Sequence, residues 1–267
     1  MSLPAVQVAE KIAYREAGAR DAPAVVLLHG IGSTSATWKE QFEPLAARFR
    51  VIAWSAPGYD RSEPLPAEKP SALEYARALA RLLDALGVGD AHVVSSSWGT
   101  LTSLVYANAY PARVRSIVLA GPTAGSHGQP PAQLEKIASE RIARVRSLGV
   151  KTMREQDAPR LVSPRASREA LQAALGLPGE APTLEGYCQA VRVLYATDTV
   201  ELIRPLLQRV LIVSGVDDII TPPPAHARML SAAARSANFA ALEDCGHLPY
   251  LEKPQRFNEL LMEFLDA

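Results

Sequence analysis

Short, continuous apolar runs recur along the chain and predict the strands of a parallel sheet. They cover residues 24–28, 51–54, 92–94, 116–120 and 210–213, with a weaker run at 239–242. A strand buried on both faces, as in a parallel sheet, is apolar along its whole length instead of alternating. Residues 6–17 do alternate, which predicts a hairpin at the start of the chain.

Segments with helical periodicity separate these apolar runs. They cover residues 35–49, 71–86, 100–110 and about 254–264, and the second opens with Ser71 and Glu74 at capping-box spacing. Because strands and helices alternate, the pattern predicts the α/β class, with a mostly parallel central sheet flanked by helices.

The alternation stops after residue 122. Residues 123–205 have a helical pattern that prolines interrupt, and they contain no clear strand. A chain of 267 residues is near the upper limit for one hydrophobic core. We therefore predict one α/β core, formed by residues 1–122 and 206–267, and a helical cap (lid) inserted between its two parts over residues 123–205.

Composition narrows the range of partners. The 28 Lys and Arg residues balance 28 Asp and Glu residues, so the chain lacks the basic surplus that binding to nucleic acid requires. No apolar run approaches the ~18 residues of a membrane span, and the start of the chain does not resemble a signal peptide. We expect a soluble, cytoplasmic protein with no nucleic-acid or membrane partner, and the sequence leaves open whether it forms a homodimer.

A serine-rich turn at residues 93–100, between a predicted strand and a predicted helix, contains the candidate nucleophile. A nucleophile elbow needs small residues two positions before and two positions after the nucleophile, because its backbone turns sharply. Ser97 has Ser95 and Gly99 at these positions, whereas Ser96 has bulkier neighbours there. The alternative is that these serines only cap the following helix through a side-chain oxygen.

A serine hydroxyl needs a base to activate it, and that base needs an orienting acid. Asp217 and Asp218 follow the predicted strand at 210–213, and His247 lies in a loop after the weak strand at 239–242. The chain order of serine, acid and histidine is that of α/β-hydrolases. This order makes His247 the candidate base and leaves two neighbouring carboxylates for the acid.

Four motifs in order along the chain resemble those of the α/β-hydrolase superfamily. They are His29-Gly30-Ile31-Gly32, Ser95-Ser96-Ser97-Trp98-Gly99, Gly215-x-x-Asp218-x-x-x-Pro222 and Cys245-Gly246-His247-x-Pro249-x-x-Glu252-x-Pro254. The resemblance implies that Asp218 is the acid and Asp217 only a neighbour of it. It also implies that the backbone N–H groups of Ile31 and Trp98 form an oxyanion hole. We expect His29 to be structural, because the acid-then-histidine order that fits lies downstream of it. The proposed chemistry needs no metal or organic cofactor.

The chain departs from the superfamily pattern at three positions. Ser95 replaces the usual glycine of the elbow, Ser55 replaces a frequent acid, and Asp60 stands where glycine is common. A side chain at position 95 could crowd the turn that holds Ser97. These departures leave open a ligand-binding or sensor protein on the same fold that catalyses no reaction.

The overall resemblance is to enol-lactonases and small-molecule carboxylesterases, which implies a serine hydrolase acting on a small ester or lactone. Carbon-carbon bond hydrolases that act on ring-fission diketones share this fold and remain an alternative. Residues 134–168 carry nine Lys or Arg and four Asp or Glu residues. That excess favours a substrate with a carboxylate, although a solvated helical face would explain it equally well.

Overall fold

The computed structural model describes residues 3–175 and 181–266. Its strands are β1 (Gln7–Ala9), β2 (Ile12–Ala17), β3 (Ala24–Leu28), β4 (Arg50–Trp54), β5 (Ala91–Ser96), β6 (Val114–Ala120), β7 (Arg209–Gly215) and β8 (Ala237–Leu242). They form one eight-stranded sheet in the order β1-β2-β4-β3-β5-β6-β7-β8. The β1–β2 and β2–β4 pairs are antiparallel and all other pairs are parallel. The predicted hairpin and mostly parallel sheet are both confirmed.

Helices cover both faces of this sheet. They are α1 (Lys39–Ala46), α2 (Ala72–Ala85), α3 (Gly99–Ala109), α4 (Pro131–Leu148), α5 (Val150–Leu161), α6 (Arg168–Leu175), α7 (Leu184–Ala196), α8 (Thr199–Ile203), α9 (Ala227–Ala233), α10 (Pro249–Glu252) and α11 (Pro254–Asp266). The capping box at the start of α2 is confirmed, because the Ser71 N–H donates to Glu74 Oε2 at 2.8 Å. The predicted helix at 35–49 is instead a 3-10 turn, Ser35–Trp38, followed by α1.

The apolar strands are buried on both faces, as their sequence predicts. Val26 and Leu28 of β3 pack with α2, α3, α8 and α9, whereas Val25 and Leu27 pack with α1, α10 and α11. Successive side chains of a strand point to opposite faces, so both faces of β3 need apolar residues. This core holds the carboxyl ends of the parallel strands at one edge of the sheet, which is where open α/β sheets form their sites.

The segment between β6 and β7 is helical. Its described part, which excludes residues 176–180, contains α4 to α8 and no strand of the sheet. We call residues 123–205 the cap segment. A third apolar cluster joins α4, α5 and α7, and Ile31 of the core packs against this cluster. The exact division into a core and a cap domain stays a prediction.

Among residues 3–175 and 181–266, every helix is too short or too polar to cross a bilayer.

Candidate active site

Ser97 occupies a strained turn between β5 and α3. Its φ of 50° lies in the left-handed region, which is costly for a residue with a side chain and recurs at functional turns. The Ser97 N–H donates to Ala120 O at 3.0 Å, which ties the turn to β6. A Cβ on Gly99 would lie 2.7 Å from Leu28 O, so the turn closes only with glycine at that position. The small-residue condition that selected Ser97 therefore has a visible steric cause on its C-terminal side.

Ser95 is accommodated in the elbow instead of crowding it. Its side chain is fully buried, and its Oγ lies 3.1 Å from Ser103 Oγ and 3.4 Å from Val118 O. Since β6 and α3 supply these partners, the extra hydroxyl is turned toward the sheet and stays hydrogen-bonded. Its presence leaves the turn at Ser97 intact.

The structure brings the three predicted catalytic side chains together. Ser97 Oγ lies 2.8 Å from His247 Nε2, and His247 Nδ1 lies 2.9 Å from Asp218 Oδ2. Burial acts to raise the pKa of Asp218, but hydrogen bonds from His247 and Thr221 and the charge on the imidazole outweigh it and lower this pKa to about 2. Asp218 is therefore an ionised acceptor for the Nδ1–H group, which leaves Nε2 to accept a proton from Ser97.

Thr221 is a site residue that the sequence reasoning missed. Its hydroxyl donates to Asp218 Oδ2 at 2.7 Å and lies 3.1 Å from His247 Nδ1. The backbone N–H groups of Ile220 and Thr221 both donate to Asp218 Oδ1, at 2.8 and 2.9 Å. An aspartate whose side chain accepts from N–H groups two and three residues later forms a local turn, so the Asp-x-x-Thr spacing was the available signal.

Glu252 fixes the loop that carries His247. Its carboxylate accepts from the N–H groups of Gly246 at 3.0 Å and Leu248 at 3.2 Å, and from the Ser163 N–H of the cap segment at 2.7 Å. Burial raises the pKa of Glu252, which these backbone donors partly oppose. The loop is therefore held on both sides of the histidine by one side chain.

The two predicted oxyanion donors lie beside Ser97. Ile31 and Trp98 both line the same cavity as Ser97, and an added Cβ on Gly30 would lie 3.3 Å from Ser97 Cβ. The Tyr59 hydroxyl donates to Ile31 O at 2.9 Å, which orients the peptide chain at Ile31. Within the described ranges, neither the Ile31 N–H nor the Trp98 N–H has a protein acceptor. Both donors are thus available to a ligand.

The remaining candidates have structural partners. Asp217 does not contact the His247 ring, and its Oδ2 accepts from Ser163 Oγ at 2.6 Å. His29 is buried, its Nε2 accepts from the Ala56 N–H at 2.9 Å, and burial lowers its pKa to about 4. It is therefore a neutral histidine in the core, as expected. Burial raises the pKa of the Cys245 thiol, which keeps that group protonated.

One cluster in the described residues has the composition of a metal site. Ligand atoms of His127, Asp198 and Glu201 lie within 4.8 Å of one another. The Asp198 carboxylate already accepts from His127 Nδ1 and from the N–H groups of Val200 and Glu201 at the start of α8, and Glu201 pairs with Arg204. These contacts explain the cluster as the cap of a helix.

A cavity of about 1190 Å³ lies over Ser97. The sheet edge contributes Ser97, His247 and Ile31 to its wall, and the cap segment contributes Arg141 and Tyr187. A space of this size between the sheet edge and the cap segment admits a small organic molecule.

Known proteins resemble this chain in sequence. The sequence model of a protein family, described as "alpha/beta hydrolase fold", matches residues 23–254. The chain is 29% identical to a 2-hydroxy-6-oxo-6-phenylhexa-2,4-dienoate hydrolase of Comamonas testosteroni, covering 95% of this chain and 91% of that relative. It is 28% identical to a 2-hydroxy-6-oxononadienedioate/2-hydroxy-6-oxononatrienedioate hydrolase of Dechloromonas aromatica, covering 90% of this chain and 86% of that one.

Solved structures resemble it over nearly the whole chain. An enol-lactonase from Burkholderia xenovorans superposes with a TM-score of 0.86 at 23% identity, over 98% of this chain and 100% of that one. A malate-bound thermophilic esterase from Thermogutta terrifontis superposes with a TM-score of 0.85 at 25% identity, over 99% of this chain and 97% of that one.

Proposed function

The chain belongs to the α/β-hydrolase family, and from this premise we propose that it hydrolyses a small carboxylic ester or lactone through an acyl-enzyme on Ser97. The observation that carries the proposal is the hydrogen-bonded line from Ser97 Oγ through His247 to Asp218, with distances of 2.8 and 2.9 Å. A serine that is strained, half-buried and in contact with an oriented imidazole has the arrangement of an activated nucleophile.

In the first half of the proposed reaction, Ser97 Oγ attacks the substrate carbonyl as His247 Nε2 takes its proton. Negative charge then develops on the former carbonyl oxygen, where the N–H groups of Ile31 and Trp98 would donate to it; one such donor contributes roughly 3 kcal/mol. Asp218 stabilises the imidazolium because it stays ionised beside Nδ1. His247 returns the proton to the leaving alcohol, and the acyl group stays on Ser97.

In the second half, water replaces the alcohol. His247 takes a proton from water as the water oxygen attacks the acyl carbonyl, and the second tetrahedral intermediate uses the same two N–H donors. The bond to Ser97 Oγ breaks, His247 returns the proton to Oγ, and the carboxylic acid leaves. Every proton transfer uses one nitrogen, Nε2, which explains why the tautomer of His247 must be fixed.

A cap over residues 123–205 belongs to the same proposal. It covers the cavity above Ser97 and contributes half of the described wall residues, so we assign substrate selection to it.

The names of the curated relatives favour a second candidate, hydrolysis of a carbon-carbon bond in a 2-hydroxy-6-oxo dienoate. That reaction would use the same fold and require protonation of a carbon leaving group. Measuring kcat/KM for p-nitrophenyl butyrate, a γ-lactone and 2-hydroxy-6-oxo-6-phenylhexa-2,4-dienoate separates the two. We expect the ester or the lactone to be the best substrate, and a dienoate preferred by tenfold or more would establish the second candidate instead.

The decisive test of the nucleophile is Ser97→Ala, with the neighbouring buried serine variant Ser96→Ala as its matched control. We expect Ser97→Ala to lower kcat for the best substrate by about a million-fold, to near the uncatalysed rate, because serine and histidine act as one unit. A fluorophosphonate probe should label the wild type and Ser96→Ala but not Ser97→Ala. An unlabelled wild type would favour a sensor protein that catalyses no reaction.

A further inference from the structure

The cap segment places a half-buried arginine in the wall of the cavity, held by tyrosine hydroxyls. Arg141 of α4 lines the same cavity as Ser97. Its Nε–H donates to the Tyr187 hydroxyl at 2.9 Å, and its Nη1 donates to the Tyr195 hydroxyl at 3.5 Å. In the described part of the chain, no Asp or Glu oxygen lies within 4.0 Å of its guanidinium group. Arg144, three residues further along α4, is by contrast paired with Asp157 at 2.9 Å.

A partly buried cation without a counter-charge is unfavourable. Removing a guanidinium group from water weakens its solvation, and a nearby negative charge compensates for that loss. Burial acts to lower the pKa of Arg141, the two tyrosines act to raise it, and the net direction is upward, so the group stays charged. The tyrosine hydroxyls orient the guanidinium group, and burial raises the pKa of Tyr187, which keeps that hydroxyl neutral.

Arg141 is linked by packing to the predicted oxyanion donor Ile31. Tyr187, which Arg141 contacts, belongs to the apolar cluster against which Ile31 packs. The charge of Arg141 also acts on Tyr59, lowering the pKa that burial raises, and Tyr59 is the residue that donates to Ile31 O. A molecule bound to Arg141 would therefore extend toward the reacting centre.

We propose that Arg141 binds a carboxylate carried by the substrate. The inference rests on the proposed function and names its substrate class: an ester or lactone that has a free carboxylate in addition to the bond that is cleaved. This group would supply the missing negative charge in the cavity.

The donors left on Arg141 fit this ligand. A guanidinium group has five N–H donors, and two of them are used by the tyrosines, which leaves three. Two donors in a planar fork match the two oxygens of a carboxylate. The hydroxyls of Tyr187 and Tyr195 accept from Arg141, so each still has its own hydrogen to donate to the bound group.

Other arginines of the cavity wall do not offer the same environment. Arg160 and Arg168 also line the cavity, but both are exposed side chains, so solvent weakens their interaction with an anion. Arg144 is compensated by Asp157. Arg154 is also half-buried in the wall, and it donates to Leu175 O at 3.1 Å. Arg141 is held by tyrosine hydroxyls instead, and its charge matches one carboxylate.

The test compares two matched series of p-nitrophenyl esters. One series consists of mono-p-nitrophenyl esters of succinic, glutaric and adipic acid, and the other of p-nitrophenyl butyrate, valerate and hexanoate. The enzymes are the wild type, Arg141→Met, Arg141→Lys and the control Arg146→Met. Arg146 lies on α4 as well, but its side chain is exposed.

We expect Arg141→Met to lower kcat/KM for the best carboxylate ester by about 30-fold, mainly through KM, because a charge-assisted pair of hydrogen bonds is lost. The neutral esters should change less than about threefold, which also shows that the variant folds. Arg141→Lys should recover part of the loss, since it keeps the charge without the fork. Equal losses on both series, no loss at any chain length, or the same selectivity change in Arg146→Met would overturn the proposal.

A binding measurement keeps this result separate from the proposed function. If the wild type cleaves none of these esters, calorimetric titration with glutarate decides the matter. Saturable binding that weakens at least tenfold in Arg141→Met and persists in Arg146→Met would support the carboxylate site while the ester mechanism fails. Absence of saturable binding to the wild type would overturn the site.

Discussion

The sheet edge and the cap segment hold their functional groups in different ways. At the sheet edge, Asp218 is fixed by two backbone N–H groups and the His247 loop by the half-buried carboxylate of Glu252. In the cap segment, Arg141 is fixed by two side-chain hydroxyls from another helix, α7. The catalytic side chains are thus held by residues close to them in sequence. The position of Arg141 depends instead on how two helices of the cap pack.

The two regions meet at several places, and two of these contacts lie next to the catalytic residues. Trp98, next to the nucleophile, donates its Nε1–H to Ala190 O of α7 at 3.0 Å. The His247 N–H donates to Leu161 O at the end of α5 at 2.9 Å. Both acceptors are backbone carbonyls, so we expect most side-chain substitutions in the cap to change substrate selection more than the chemistry.

Among variants that distinguish the sheet edge from the cap segment, Asp218→Asn should have the largest effect on kcat. The amide oxygen would stay at the Oδ1 position, where it accepts from two backbone N–H groups, so the NH₂ group would face His247 Nδ1. Two donors cannot face each other, and the ring would switch tautomer and lose the ability to accept the Ser97 proton at Nε2. We expect kcat to fall by about 1,000- to 10,000-fold in ester hydrolysis assays.

Asp217→Asn is the matched control for that experiment, because Asp217 contacts Ser163 and not His247. It should change kcat by less than about threefold. Glutarate affinity, which reports on the cap, should be unaltered in Asp218→Asn. A weakened glutarate affinity in this variant would mean that the two regions are not separable.

A smaller effect is expected for Gly186→Ala, and it concerns substrate preference instead of the catalytic rate. A Cβ at this position would lie 2.3 Å from Gly58 O, so the start of α7 must move away from the core. Tyr187 follows directly and would shift the hydroxyl that orients Arg141. We expect the preference for carboxylate esters over neutral esters to fall about tenfold, the size of one weakened charged hydrogen bond. Gly89→Ala, where a Cβ meets nothing within 4 Å, is the control.

The ratio of the two kcat/KM values is the measurement that matters for Gly186→Ala. A parallel fall on both substrate series, with slower fluorophosphonate labelling, would show that α7 supports the nucleophile through Trp98 more than it supports Arg141. Helix α7 would then serve catalysis as well as substrate selection, and the two functions would not be separable there.

The contrast between locally held loops at the sheet edge and packed helices in the cap explains which features the sequence could predict. The strands, the capping box and the positions of Ser97, Asp218 and His247 follow from patterns a few residues long. Arg141 and Tyr187 are 46 positions apart and meet only through helix packing, so the sequence indicated an excess of positive charge in this segment but not which arginine faces the cavity. Thr221 lies between these cases, because its spacing from Asp218 was visible but the meaning of that spacing was not.

The smallest effect on catalysis is expected for Ser95→Gly, which restores the residue that the superfamily pattern has at this position. The Ser95 hydroxyl lies against Ser103 and Val118 and points away from the reacting centre, so kcat/KM should stay within about threefold of the wild type. The free energy of unfolding in urea should fall by about 1 to 2 kcal/mol, because buried hydrogen bonds are lost and glycine gains freedom in the unfolded chain. A tenfold faster variant would instead show that Ser95 strains the nucleophile, and that loops at the sheet edge trade catalytic rate for stability.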